Sequence, residues 1–495
     1  MKIVKSLLLG SAAGFVAVTG TQAADLPVKA RPVAYVKICS LYGEGFYYIP
    51  GTDVCLKVGG YIRAQYNWNG IGGGNQAYFA ATGGAQDRTV NSYNTRHRAS
   101  INFDSRSQTS FGTLRTYAAI NIDNENLGVV TVNPTRAFIQ WAGFTFGHTQ
   151  SFTDVPGTPG DISFKSLTAG QNHSDTGANG TNQIAYSWEL GNGMTLNVGA
   201  DERRTKPISN FSNNVASVGA NPTDSIHGEQ YPNPWANFTV IQDWGRAALS
   251  VIGNPIHSVY YGAAPGAPGY ATTASCIAQS GTTWCGYPED RWGFAVLGGV
   301  DIRAPWAGPG DHFGGYFHYG QGALAYAAGS LLTSPGLFGG GNQLALGVLT
   351  DAVYVNGSGF ELTTAWTVGV GAEHFWLPNF STTVYATRTE VSYNDTVINN
   401  RWFCGGNGGT TQNIVVPAGV SCDPGFVYWM VGTHTDWYPV PNFRLAVEVL
   451  YTQIGTAFDG AQITLSKAIG ARPTGVYTAR DQGIVSVVFR AQRDF

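Results

Sequence analysis

The sequence is expected to fold as an all-β protein: a sixteen-stranded antiparallel transmembrane β-barrel with short periplasmic turns and long extracellular loops. Three observations carry this. Apolar and polar residues alternate with period two in segment after segment, tight turns alternate with long polar connections, and only 12% of residues are charged while 13% are aromatic. A soluble domain carries about a quarter charged residues, and a helical membrane protein shows runs of about 18 or more apolar residues. The 495-residue chain has neither feature; its 66 glycines, 3 methionines and mean hydropathy of -0.07 suit a barrel that is apolar outside and polar inside.

At the N-terminus Lys2 and Lys5 precede an apolar run from Leu7 to Val18, and "TGTQAAD" follows with small residues at Thr21 and Ala23. This is the layout of a secretory signal peptide, residues 1–23, cleaved after Ala23. About 12 apolar residues are too few to cross a bilayer as a helix. Losing Lys2 and Lys5 takes Lys+Arg from 28 to 26 against 31 Asp+Glu, so the net charge moves from -3 to -5. A mildly acidic exported chain is a poor match for nucleic acid. Residues 24–56 are read as a periplasmic N-terminal segment with a disulfide, and 57–495 as the barrel.

The six cysteines form three local couples, Cys39 with Cys55, Cys276 with Cys285 and Cys404 with Cys422, separated by 16, 9 and 18 residues. An oxidising compartment favours disulfides. Many connectivities are possible, and the local three are preferred because each couple lies inside one loop or terminal segment. There is no CxxC and no His at zinc-ligand spacing, so no metal or cofactor is expected.

Along the chain, "KVGGYIRAQYNW" places Val58, Gly60, Ile62, Ala64, Tyr66 and Trp68 on one face and Lys57, Tyr61, Arg63, Gln65 and Asn67 on the other. That is a strand. "TLRTYAAINI" repeats the pattern with Leu114, Thr116, Ala118, Ile120 and Ile122 opposite Arg115, Tyr117 and Asn121; "ELTTAWTVGVGAEHFW" repeats it again. Candidate strands cover 57–68, 95–104, 110–122, 134–142, 143–150, 182–190, 193–201, 234–242, 245–254, 291–302, 312–319, 360–376, 380–392, 426–438, 442–454 and 483–495. "GNG", "QDWG", "LPNF" and "VPNF" join strands tightly, while stretches of roughly 25 to 35 residues intervene elsewhere, a length uncommon in a compact domain. "LALGVLTDAVYV", Leu344 to Val355, fits a short helix as well as a strand. A seventeenth strand would put the termini on opposite sides of the membrane, so this segment is left in a long loop. The last strand ends at Phe495, which shares a face with Val485, Val487, Phe489 and Ala491. Arg493 on that face is tolerable only near the rim. Trp376, Phe380, Trp437 and Phe443 beside the tight turns read as a periplasmic aromatic girdle.

"YGEGFYYIPGTDVCLKVGGYIRAQYNW", "TRHRASINFDSRSQTSFGTLRTYAAI", "AFIQWAGFTFGHTQSF" and the Phe495 ending resemble the general porin family of alphaproteobacteria. The resemblance implies sixteen strands and a homotrimer in outer-membrane lipid and lipopolysaccharide of a Gram-negative cell. It implies passive diffusion of ions and small hydrophilic solutes, and a third extracellular loop folded inward to narrow each pore.

Alternation in the first four strands sends Arg63, Arg96, Arg98, Arg115 and Arg136 to the face away from lipid. Unpaired charges in low dielectric are strongly disfavoured, so water must reach them and the barrel is hollow. These five are the candidate basic wall of a constriction. The opposing acids are expected on Ser151 to Gly180, where Asp154 and Asp161 are the first candidates and Pro156 and Pro159 stiffen the loop. Arg96 and Arg98 would then face Asp154 or Asp161 across the gap, a transverse field that orients polar solutes, with His97 outward.

"NIDNENLG" lacks the residue types of an EF-hand, so Asp123 and Glu125 are read as capping a subunit-facing loop. "AEHFW" puts Glu373 and His374 on opposite faces of a strand, and no GxSxG, P-loop or dinucleotide fingerprint occurs. An enzyme barrel would need a catalytic constellation near its rim, and none stands out. A structural or adhesive barrel would fill its interior. A sugar-selective channel would show a staircase of aromatics, which Tyr61 and Tyr117 alone do not make.

Overall fold

Sixteen antiparallel strands close into a ring because the last pairs with the first. The computed structural model describes residues 37–71, 75–76, 84–126, 128–157, 176–177, 180–204, 206–211, 229–258, 287–329, 334–355, 357–404, 414–415, 421–465 and 468–495. The barrel strands are β1 (Cys55–Trp68), β2 (Tyr93–Thr109), β3 (Gly112–Glu125), β4 (Thr131–Trp141), β5 (Phe144–Thr149), β6 (Thr181–Gly191), β7 (Met194–Asp201) and β8 (Asn233–Gln242). They continue as β9 (Gly245–Ile256), β10 (Arg291–Arg303), β11 (His312–Gln321), β12 (Thr364–Leu377), β13 (Phe380–Ser392), β14 (Phe426–Val440), β15 (Phe443–Gly455) and β16 (Gln482–Asp494). β16 meets β1 from Tyr61 opposite Asp494 to Trp68 opposite Val487. Phe495 completes the seam: its N–H donates to Gly60 O at 3.0 Å and its carbonyl oxygen accepts from Gly60 N–H at 3.2 Å. The closed ring has no free edge, as a lipid-embedded sheet requires.

Connections alternate in length. Two residues suffice at 110–111, 142–143, 192–193, 243–244, 378–379 and 441–442. Asn192 and Gly193 take φ of 53° and 70°, the left-handed pair that matches a two-residue hairpin to strand twist. The opposite rim carries eight connections, counted in chain order: the second is only the five-residue link 126–130, and the others, among them the third at 150–180, the fourth at 202–232 and the sixth at 322–363, are long.

The faces divide as alternation predicts. Val58, Ile62, Ile101, Phe103 and Ile122 are exposed outward, while Gln65, Asn67, Arg98, Ser100 and Asn121 are buried inward. Trp376 and Trp437 are exposed beside short turns, with Phe111, Trp141 and Trp244 at the same rim. Arg493 lies there too, its guanidinium donating to the Pro441 carbonyl at the β14–β15 turn. The disulfides Cys39–Cys55 and Cys404–Cys422 are formed; Cys276 and Cys285 lie outside the described residues.

Two expectations change. Asp123 and Glu125 cap no loop, because β3 runs on through Glu125 and carries both within its ladder to β2. The interior is also not polar throughout. Tyr385 and Val391 of β13, Phe426, Tyr428 and Met430 of β14, Leu450 and Ile454 of β15 and Ile484 of β16 belong to one buried apolar cluster with residues of the long connections. Those connections fold into sheets of their own. Gly336–Phe338, Gln343–Leu346, Gly475–Ala479, Gln462–Leu465 and Ile414–Val415 form one. Ile208–Asn210, Ala352–Tyr354 and Glu361–Leu362 form another. The upper inner faces of β13 to β16 are therefore apolar because they back onto a folded cap instead of water. Leu344 to Val355 supplies strands of that cap and none of the barrel.

Candidate functional site

Alternation decides which side chains face inward, and register decides which of them share a height. Two cross-strand rows concentrate the inward charge. Arg444, Gln492, Arg63, Arg98 and Asp123 stand side by side on β15, β16, β1, β2 and β3. The adjacent row runs Ala446, Arg490, Gln65, Arg96 and Glu125.

The rows are tied together by directed bonds. Arg98 Nε and Nη2 lie 2.6 and 3.0 Å from the two carboxylate oxygens of Asp123. Arg96 Nε is 2.9 Å from Glu125 Oε1 and 3.4 Å from Asp123 Oδ1. Arg490 donates twice to Gln65 Oε1, at 3.0 and 2.7 Å. Arg63 Nε donates to Gln492 Oε1 at 2.8 Å and its guanidinium lies 4.7 Å from the Tyr61 ring centroid. Arg444 grips Asp436 at 2.5 and 2.9 Å. Arg63 and Arg98 oppose each other directly, and like charges in that position are destabilising. Asp123 offsets the cost on one side of the row.

The other two expected arginines stand elsewhere. Arg115 bonds Asp104 at 3.0 Å and Gln140 at 3.0 Å, opposite Arg106. Arg106 is eight residues beyond Arg98 on β2, which is about 27 Å along a strand. Arg136 donates to the Thr135 and Gly177 carbonyls and so reaches the third long connection. Parity sends all five to the face away from lipid and says nothing of height, which is why they separate.

That connection starts on the opposite wall. Ser250 Oγ of β9 donates to Thr153 O at 3.0 Å, and a Cβ on Gly157 would come within 2.4 Å of Val300 O on β10. β9 and β10 are about half-way around the ring from β1. Arg204 Nη2 donates to Thr153 Oγ1 at 2.9 Å, lies 3.4 Å from Asp201 Oδ2 and stacks 4.1 Å from the Tyr326 ring centroid. Asp154 Oδ2 accepts from Thr176 N–H and Oγ1, both at 2.8 Å, clasping the two ends of the connection. The expected pairing across the gap therefore takes another form here: the acids bonded to Arg96 and Arg98 are Asp123 and Glu125 on their own wall. Asp161 lies outside the described residues.

A second inward group sits on β9 to β13. His312 bridges Asp301 and Glu373 at 2.9 Å each, Ser381 donates to Glu373 at 2.7 Å, and Arg246 lies 3.2 Å from Asp301. Nearer the long connections, Asp351 accepts from the backbone N–H of Leu324 at 2.7 Å and of Lys206 at 2.8 Å. Burial pushes the Asp351 carboxyl up to about 6 and the Lys206 ammonium down to about 8.

Arg444, Arg490, Gln492, Asp123 and Glu125 escaped the sequence reading. The signal was present for two of them: Phe495, Phe489 and Val487 face outward, so Arg490 and Gln492 alternate inward, and closure of β16 on β1 brings them beside Arg63.

Residues 25–488 match the family described as the porin subfamily. Porin Omp2b of Brucella melitensis is 30% identical over 262 residues, which is 49% of this chain and 67% of that protein. Porin Omp2b of Brucella canis is 29% identical with the same coverage. Among solved structures, the outer membrane channel DcaP of Acinetobacter baumannii matches with a TM-score of 0.57 at 14% identity, covering 90% of this chain and 99% of that one. That likeness is one of fold.

Proposed function

The chain belongs to the porin subfamily and is an outer-membrane general porin, and we propose that ions and small hydrophilic solutes cross it through a constriction between its arginine rows and its third long connection. The observation that carries this is the pair of rows from Arg444 to Asp123 and from Ala446 to Glu125, a polar and charged strip across five adjoining strands. Water supports such a strip where lipid or an apolar core would not. The hold of β9 and Arg204 on Thr153 keeps the start of the third connection against the far wall, which supports a gap between the two. Asp154 stiffens the stem of that connection.

The export signal is residues 1–23, in keeping with a family match that starts at residue 25. The resemblance to alphaproteobacterial general porins supports a homotrimer embedded in outer-membrane lipid and lipopolysaccharide. Transport is passive and no catalytic step is involved. Purified protein in planar bilayers should conduct without added cofactor or voltage activation, and a folded oligomer that carries no current would overturn the reading. Reversal potentials in a salt gradient then give the sign of its selectivity.

A further inference from the structure

Arg63 differs from Arg96, Arg98 and Arg444 in its bonding partner, and from Arg490, which also bonds an amide oxygen but is buried, in its exposure. Arg96, Arg98 and Arg444 each bond a carboxylate, Glu125, Asp123 and Asp436 respectively. Arg63 bonds the carbamoyl oxygen of Gln492 through Nε and rests over the Tyr61 ring; among the described residues no carboxylate pairs with it and its terminal nitrogens hold no hydrogen bond. Neither the amide nor the ring cancels its charge. Arg63 also keeps partial exposure where Arg98 is buried. It stands within electrostatic reach of Arg96, Arg98 and Arg444, so three further cations bias this spot toward negative charge.

We propose that Arg63 is the anion-contacting residue of the lumen, where the carboxylate or phosphate group of a passing solute pauses. The two terminal nitrogens present the fork that such groups accept bidentately. An arriving anion would also relieve the opposition of Arg63 and Arg98 across β1 and β2. The contact is transient by construction, because Gln492 and Tyr61 already orient the guanidinium and the anion needs no rearrangement to depart. This inference rests on the reading of the lumen as a water-filled path.

The test uses the full-length protein in planar bilayers at low ionic strength, with chloride as the current carrier and inorganic phosphate as the probe. Wild type should conduct, and phosphate should depress the chloride current. Arg63→Gln should raise the phosphate concentration needed by roughly tenfold, the order of one hydrogen bond to a charged group, and shift the reversal potential toward cations. Gln492→Glu keeps the hydrogen bond to Arg63 and adds a neutralising charge, so it should reproduce both effects without truncating the arginine. Arg63→Lys should hold the reversal potential while weakening the phosphate effect, since the fork is lost. A conducting wild type indifferent to phosphate overturns the assignment, as do Arg63→Gln and Gln492→Glu channels that match wild type in both readouts. A folded wild type with no current overturns the channel reading itself.

Discussion

Arg98 on β2 and Asp123 on β3 are cross-strand partners joined by a bidentate ion pair of 2.6 and 3.0 Å. Asp123 is shared with Arg96 at 3.4 Å, so one carboxylate serves two guanidiniums of the same wall. Arg98→Ser should therefore leave Asp123 undercompensated and shift the reversal potential toward cations, with conductance preserved or raised. Asp123→Asn should shift it toward anions and cost stability up to about 3 kcal/mol, because a buried guanidinium loses its counter-charge. Screening acts over about 8 Å at physiological salt, so both shifts should shrink in concentrated salt. Equal reversal potentials for both variants at low salt would remove these rows from the conducting path.

Arg204 holds the start of the third connection through Thr153 Oγ1 and is itself anchored by Asp201 at the end of β7 and by the Tyr326 ring. Asp201 is fully buried and also accepts from Ser151 and Trp235. Arg204→Ala should cost about 3 to 5 kcal/mol, the scale for breaking a buried pair on one side, and loosen residues 151–157 from β9. Single-channel records should show greater open-state noise and altered conductance. A quiet record with wild-type conductance would mean that Ser250 and the backbone suffice to hold the strap.

How much of this was legible beforehand depends on which physical rule each feature obeys. Strand count, closure and facing follow from period two and from the even parity of a closed barrel, so all sixteen strands were found to within a few residues. Arg63, Arg96 and Arg98 were readable as inward for the same reason. Height was not, because shear between strands is set by turns and bulges such as the register shift between Ala119 and Ile120. Arg115 lies opposite Arg106, eight residues along β2 from Arg98, and Arg136 lies opposite Ala119, four residues along β3 from Asp123. The cap was illegible for another reason: Tyr428, Met430 and Leu450 alternate properly, and nothing local tells an inner face that meets water from one that meets a folded connection.

The Cys404–Cys422 disulfide joins residues 18 apart in sequence, with Cys422 buried in the apolar cluster of that cap. Chain-entropy reasoning gives about 3 kcal/mol for such a closure. Replacing both cysteines by serine should therefore sensitise the connection 393–425 to added protease while the barrel strands stay protected, since their ladders are independent of it. Equal cleavage rates in wild type and variant would place the stability of the cap in its apolar contacts alone.

Asp351 and Lys206 tie the fourth and sixth long connections together at a fully buried point, where Asn254 of β9 also donates to Asp351 at 3.3 Å. Burial outweighs their mutual attraction: the carboxyl is raised to about 6 and the ammonium lowered to about 8. The raised carboxyl contributes stability that is fully present below its ordinary value near 4 and lost as pH rises through about 6. The lowered ammonium contributes stability present above about 10.5 and lost as pH falls through about 8. Their tie is thus weakest between these limits. After correction for intrinsic exchange, the backbone N–H groups of Leu324 and Lys206 should be better protected from hydrogen exchange at pH 5 than at pH 7, by on the order of 1 kcal/mol. Asp351→Asn removes the titrating carboxyl and should flatten that dependence. Protection that falls steadily from pH 7 to pH 5 would mean that the ionised pair holds these connections and that attraction, not burial, wins.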